Sequence, residues 1–141
     1  MSTERSVHGA PRLLLRLEGA LLLLLSAAVY ARLGAGWGVF AALFLVPDVS
    51  LLAYLAGPRV GAAAYNAAHS LVRPALLAAS GLAVGAPSWA IPVALIWAAH
   101  VGFDRMLGYG LKYATGFSHT HLGGIGREAR AARFEESPIF R

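Results

Sequence analysis

The sequence predicts an all-α fold, an integral membrane four-helix bundle whose consecutive helices run up and down. The first observation is the composition: of 141 residues, 57% are hydrophobic and only 13% are charged, whereas soluble domains carry about 25% charged residues. The second is the arrangement: the apolar residues form four long segments, and a helix needs roughly 20 such residues to cross a hydrocarbon core. These observations exclude a small soluble enzyme, a disordered chain and a fibrous repeat.

We predict membrane spans over residues 13–30, 37–55, 62–84 and 89–107. They form one domain over residues 13–113, between an N-terminal tail (1–12) and a polar C-terminal tail (114–141). The connections are short, so neighbouring helices are predicted to be antiparallel. The first span could also be a cleaved signal peptide, but Arg16 and Glu18 interrupt its apolar run and no small-residue cleavage site follows. We therefore interpret it as a retained helix.

The Lys and Arg residues predict the orientation of the chain. With the N-terminus in the cytoplasm, the inside segments hold most of these residues, and the outside connections hold only Arg32. This pattern puts both termini in the cytoplasm and the chain in the cytoplasmic (inner) membrane, with the lipid bilayer as its main partner. The net charge of +5 does not indicate a nucleic-acid partner, because the basic residues lie at the span ends and in the tails.

Polar residues inside the predicted spans indicate a site, because ionisable groups in hydrocarbon usually face a bundle interior and carry function. The four that we assign to acid/base catalysis are Asp48, His69, His100 and Asp104, all in the cytoplasmic half of the predicted bundle. His100 and Asp104 are four residues apart and share one helix face. Asp104 would orient His100, and either remaining residue would be the complementary acid or base. The alternative is an interhelical pair that only stabilises the bundle.

A second set of polar residues near the same membrane face is assigned to substrate binding. Tyr109, Lys112 and Tyr113 form a mixed aromatic and basic patch at the level of the headgroups. Such a patch suits an anionic or phosphorylated lipid headgroup, and it is equally typical of an interfacial anchor. The full set is Glu18, Tyr54, Asn66, Arg105, Tyr109, Lys112, Tyr113 and His121.

Several local motifs occur together: Arg16-Leu-Glu18, Pro47-Asp48, Tyr54-Leu-Ala-Gly-Pro-Arg59, Tyr65-Asn66-Ala-Ala-His69, the stretch from His100 to Tyr113, and Thr120-His121-Leu-Gly. In these motifs the chain resembles a family of small bacterial membrane proteins, the domain of unknown function 4260. The resemblance covers about residues 13–123, and the stretch from His100 to Tyr113 is its most specific part. It implies a four-helix integral membrane protein, and it implies no activity.

Two classes of function fit these residues. The first is an intramembrane enzyme that uses carboxylate and imidazole groups on a lipid-like or isoprenoid substrate. The second is a membrane binding or transport protein for a cofactor, an ion or protons, including haem held axially by His69 and His100. The apolar outer halves of the spans offer no polar route across the membrane, which favours chemistry or binding on one side.

The sequence identifies no cofactor, and we assign no residue to a metal site. The absence of cysteine excludes disulfides, thiolate zinc sites and Fe–S clusters. His119 and His121 could bind a metal through two imidazoles, but no helix or strand is predicted beneath them. Because four helices make a thin wall around a lipid pocket, a homodimer is a further expectation.

Overall fold

The computed structural model describes residues 6–83 and 87–126, and this part of the chain is mostly helical. The helices are α1 (Gly9–Arg32), α2 (Trp37–Phe44), a 3-10 helix (Val46–Ala56), α3 (Pro58–His69), α4 (Val72–Ala83) and α5 (Ala90–Leu107), and two short strands follow, β1 (His119–Thr120) and β2 (Gly123–Gly124). Three helical segments are long and apolar enough to cross a membrane: Gly9–Arg32, Trp37–Ala56 and Ala90–Leu107. The outer turn at Gly85 and the tail beyond residue 126 lie outside the described residues.

The third predicted span is not one helix. It is divided into α3 and α4, which are separated at Ser70 and Leu71, and Ser70 has an extended backbone with ψ of 150°. The cause is Pro74, whose ring nitrogen cannot donate to the carbonyl of Ser70 and whose ring would collide with that carbonyl in a continuous helix. Pro74 is tolerated three residues into α4, where an N–H would lack a helical partner in any case. The prediction of a continuous helix over residues 62–84 is therefore wrong.

The second apolar segment changes its winding at Pro47, from α2 to the 3-10 helix. A 3-10 helix has three residues per turn, so every third side chain lies on the same face. One such row is apolar and at least half exposed: Val46, Val49, Leu52 and Leu55. Asp48 and Tyr54 belong to another row, which faces the protein. The tight winding therefore separates an outward apolar edge from an inward polar one.

The described helices expose many large apolar side chains. In the leucine run of α1, for example, the side chains of Leu21, Leu24 and Leu25 are each more than half exposed. A contiguous apolar surface of this kind is rare on soluble monomers. It is the surface that a lipid bilayer would cover.

Helices α1 and α5 cross at two glycines. A Cβ atom on Gly102 would lie 2.7 Å from the carbonyl oxygen of Gly19 and 2.7 Å from the backbone nitrogen of Leu23. A Cβ atom on Gly19 would in turn lie 2.7 Å from the carbonyl oxygen of Gly102. Small residues allow this close backbone approach, as at many helix interfaces in membranes. The crossing fixes the position of α5 against α1.

Residues 109–126 form a compact cap at one end of the helices. The strands β1 and β2 pair antiparallel, and Lys112 forms a bridge to Thr120. Asn66 on α3 holds the cap with its side-chain amide, which donates to the carbonyl of Lys112 at 2.8 Å and accepts from its N–H at 2.6 Å. The N-terminal segment joins through a hydrogen bond from the N–H of Val7 to the carbonyl of His121. The first part of the predicted C-terminal tail is therefore packed against the helices.

The first prediction concerns the glycine crossing. Gly102→Ala should lower the free energy of unfolding by about 1–3 kcal/mol, the usual cost of overpacking, because its methyl group would push α1 and α5 apart. Thermal unfolding in detergent measures the effect. Gly38→Ala is the matched control: Gly38 lies in α2 with nothing within 4 Å of its Cβ position. Equal melting temperatures for the two variants would contradict the close crossing.

Candidate functional site

The four residues assigned to catalysis come from three segments and meet at one point. Asp48 follows Pro47 in the first turn of the 3-10 helix, and His69 is the last residue of α3. His100 and Asp104 lie one turn apart on α5. One ligand-type atom from each residue can be chosen so that all four lie within 4.8 Å of one another.

The two histidines face each other at the centre of this cluster. Their Nε2 atoms are 3.1 Å apart. The Nε2 atom of His69 is 3.3 Å from Oδ1 of Asp48 and 3.4 Å from Oδ2 of Asp104. The Nε2 atom of His100 is 3.5 Å and 4.0 Å from the same two oxygens. The side chains of both histidines are at most 1% exposed, whereas that of Asp48 is 39% exposed, so the cluster opens on the side of Asp48.

Hydrogen bonds fix the proton on one ring of the pair. The Nδ1 atom of His69 is 2.9 Å from the carbonyl oxygen of Tyr65, and a carbonyl oxygen only accepts, so Nδ1 carries a proton. In the neutral imidazole, the Nε2 atom of His69 then carries no proton, and its lone pair points at the cluster. The Nδ1 atom of His100 is buried without a hydrogen-bond partner among the described residues.

Tyr65 and Phe44 surround the cluster, and the sequence analysis assigned neither of them to the site. Tyr65 stacks on the ring of His69 with centroids 3.7 Å apart, and its hydroxyl donates to Oδ2 of Asp104 at 2.9 Å. Phe44 meets the ring of His100 edge-on at 5.2 Å. Tyr65 could have been found from the sequence, because it precedes His69 by four residues and therefore shares its helix face.

The residues assigned to substrate binding are spread around this cluster rather than lining it. Arg105 donates to the carbonyls of Tyr109 and His69, and the second of these carbonyls is freed by the helix break at Ser70. Asn66 holds the cap, as described above. His121 accepts the N–H of Leu111 at its Nδ1 atom, at 2.8 Å. These side chains bind backbone groups of the protein itself.

The remaining residues of the substrate-binding set have other surroundings. Glu18 is exposed on α1 and makes no hydrogen bond or ion pair within residues 6–83 and 87–126. Tyr109 and Tyr113 are 39% and 36% exposed in the cap. The ring of Tyr54 meets the ring of Phe117, and its hydroxyl is buried without a partner in the described part of the chain.

Lys112 and His121 have lowered pKa values in the cap. Burial lowers the pKa of Lys112 to about 8, and the carboxylate of Asp104 partly opposes this shift. The ammonium group donates to the carbonyl of Phe117 at 2.9 Å and lies 3.5 Å from the centroid of the Phe117 ring. Burial also lowers the pKa of His121, and the nearby charge of Arg105 adds to this. Both residues therefore carry less positive charge in the folded protein than in water.

The second prediction follows from the pKa of Lys112. Its folded-state pKa of about 8 lies below the ordinary value of 10.5, so the unfolded chain binds more protons between these pH values. The free energy of unfolding should therefore rise with pH across this range and lose this contribution as the pH falls through about 8. Melting temperatures at several pH values measure the slope. Lys112→Met should flatten it, and an unchanged slope in this variant would contradict the shift.

Comparison with known proteins assigns the chain to a family. A family model described as Domain of unknown function (DUF4260) matches residues 12–125, which include the whole cluster and the cap up to its last residue but one. No curated protein and no solved structure matches the chain. Because the match extends over most of the sequence, the chain belongs to the DUF4260 family.

Proposed function

We propose that this protein is an integral membrane metalloprotein that binds one divalent metal ion between Asp48, His69, His100 and Asp104. The observation that carries the proposal is the convergence of four ligand-type atoms within 4.8 Å. Two carboxylates beside the lone pair of His69 need positive charge, because burying unpaired anions is costly. One divalent cation would balance both carboxylates.

The distances suit a metal ion of zinc size. An ion bound to nitrogen and oxygen at about 2.0–2.2 Å places neighbouring ligands about 3.3–3.6 Å apart at the edges of a tetrahedron. Four of the separations in the cluster lie between 3.1 and 3.5 Å. The proton on Nδ1 of His69, donated to the carbonyl of Tyr65, is the outer hydrogen bond that ligating histidines usually make.

The donor set restricts the choice of metal. Imidazole nitrogen suits zinc, iron, nickel and copper, whereas magnesium and calcium prefer oxygen ligands alone. The cluster has two imidazoles and two carboxylates and contains no sulfur ligand. We therefore propose zinc or another first-row divalent ion.

The exposed side of Asp48 supports a catalytic rather than a purely structural centre. The side chain of Asp48 is 39% exposed, whereas those of His69 and His100 are at most 1% exposed, so the cluster is open beside this carboxylate. A ligand that enters there would meet the metal ion beside a carboxylate. A metal ion supplies Lewis acidity and lowers the pKa of a water that would join it as a fifth ligand, and a carboxylate can accept the proton. We propose that the centre hydrolyses or rearranges a lipid-like substrate.

Metal-free acid/base chemistry is the second candidate, and one observation favours it. A metal on Nε2 of His100 would leave a proton on the buried Nδ1 atom, which has no partner among the described residues. Without a metal, Nε2 of His100 could instead donate to Nε2 of His69. A proton shared by the two imidazoles would then serve general acid/base catalysis.

We also propose that the protein spans the cytoplasmic membrane with the cap inside. The cap, Val7 and the 3-10 helix end near Tyr54 lie at one end of the helices. Arg59 and Lys112 are at this end, and the connection at the other end contains Arg32. The excess of basic residues at the cap end supports a cytoplasmic position for it. The cluster would then lie in the cytoplasmic half of the membrane.

The third prediction tests the metal centre. Full-length protein purified in detergent, loaded with zinc and freed of excess ion, should retain one zinc per chain by elemental analysis. His100→Gln and Asp104→Asn should lose it, because each removes a ligand. Zinc at about 100 times its Kd should stabilise the wild type by about 2.7 kcal/mol, because it binds only the folded state.

His119→Gln is the matched control, because His119 lies in the cap outside the cluster. It should retain the zinc and the stabilisation. If the wild-type protein retains no zinc and gains no stability from it, the metal centre is overturned. The proton shared between the two histidines is then the remaining candidate. Equal zinc content in all variants would place the ion elsewhere.

The fourth prediction tests the orientation. The chain contains no cysteine, so single cysteines at Ser88 and Ala114, both exposed, can be labelled without background. On intact spheroplasts, an impermeant thiol reagent should label Ser88→Cys and should label Ala114→Cys only after lysis. The reverse pattern would place the cap and the cluster on the outer side.

A further inference from the structure

A cavity of about 300 Å³ lies beside the cluster, between the second apolar segment, the break at Ser70 and α5. Its wall includes Pro47 and Ala68, the chain neighbours of Asp48 and His69, together with Ile96, one turn before His100 on α5. Its volume is at the low end of the range for small-molecule sites, about 300–1,000 Å³. The cavity therefore has room for one hydrocarbon chain rather than two.

Two polar side chains in this cavity lack partners. Arg73 is an exposed residue at the edge of the cavity, and its guanidinium group makes no hydrogen bond or ion pair within the described ranges, 6–83 and 87–126. The hydroxyl of Ser50 is buried and has no hydrogen-bond partner there either. The other lining residues offer apolar surface, and the indole N–H of Trp97 is already donated to the carbonyl of Ala68 at 2.6 Å. One positive charge and one hydroxyl are thus the polar groups left for a ligand.

The position of Arg73 relative to the membrane indicates that its guanidinium group binds a ligand. α3 has 12 residues and is about 18 Å long, which separates Arg73 from the Gly57 turn at the cap end. In the proposed membrane placement this distance would take Arg73 away from the cap-end surface and into the hydrocarbon core, which is about 30 Å thick. Charged residues at such depth usually face a cavity and pair with a partner or ligand.

We propose that this cavity binds a single-chain anionic amphiphile, with its carboxylate or phosphate on Arg73 and Ser50 and its hydrocarbon chain along the apolar wall. Arginine recognises both anions with parallel hydrogen bonds, and the hydroxyl of Ser50 adds a donor. The cavity borders the cluster, so the amphiphile is also the substrate class of the proposed function. That part of the inference rests on the proposed function. The binding step itself requires no metal.

The fifth prediction is a binding test in nanodiscs of neutral phosphatidylcholine. In full-length protein with Trp37→Phe and Trp89→Phe, Trp97 is the remaining tryptophan, and it lines the cavity. Terminally brominated dodecanoate should quench its fluorescence. Dodecanoate and dodecyl phosphate should displace the probe at concentrations at least about tenfold lower than dodecanol, because hydrogen bonds to charged groups contribute that much. The more effective of the two anions identifies the headgroup.

Arg73→Gln should remove the preference for the anions while leaving the weak binding of dodecanol. Arg73→Lys keeps the positive charge and should retain part of the preference. Arg59→Gln is the matched control, because Arg59 lies at the start of α3 outside this cavity and should retain the full preference. Ala68→Phe fills the cavity and should abolish quenching by every amphiphile. Melting curves show whether each variant is folded.

An unchanged preference in folded Arg73→Gln, or equal displacement by dodecanol and the two anions in the parent protein, would overturn the proposal. The same titration after treatment with a chelator separates it from the proposed metal centre. Anion-selective quenching in the chelator-treated protein would support the cavity independently of the metal centre, which only a failure to retain zinc after loading would overturn. Zinc binding without anion-selective quenching would support the metal centre and overturn the cavity.

Discussion

The packing of two carboxylates against two buried imidazoles is the constraint on which the site depends. Asp48 and Asp104 lie within 4.0 Å of both histidine Nε2 atoms, and His69 offers them a lone pair because its proton is donated to the carbonyl of Tyr65. Such an arrangement is unfavourable unless positive charge enters it, as protons or as a metal ion. The surrounding fold therefore has to keep four polar groups together in a chain whose outer surface is apolar.

Breaks in helix winding make this arrangement possible. Pro47 is the second residue of the 3-10 helix, whose row of inward side chains includes Asp48. Pro74 ends the helical path after His69, and the carbonyl that this frees accepts a hydrogen bond from Arg105. Irregular backbone inside a membrane is tolerated where protein groups satisfy it. The two prolines thus place site residues at helix ends, and Arg105 binds a backbone carbonyl exposed by the second break.

The sequence was sufficient to predict the helical class and to single out the four residues of the cluster. It was less informative about where the helices that hold these residues begin and end. Helical spacing within the apolar segments predicted that Asp48, His69, His100 and Asp104 lie close together, and in the structure these four meet. The division of the third span was missed, although Pro74 was its signal. The roles of Asn66 and Arg105 could not be found from local patterns, because their partners are backbone groups 46 and 36 residues away along the chain. In the sequence, a polar side chain that binds a distant backbone group looks the same as a polar side chain that binds a ligand.

The crossing of α1 and α5 has a consequence for the cluster. Gly102 lies between His100 and Asp104, so the residue that contacts α1 and the residues of the site share two turns of one helix. In a helix, positions two apart face different directions, and this allows one side of α5 to pack on Gly19 while another presents the imidazole and the carboxylate. The close approach leaves α5 little freedom to rotate, since rotation would bring bulkier neighbours against α1. Packing on the side away from the cluster therefore fixes the direction of His100 and Asp104, and the geometry of the site is set by glycines that never touch it.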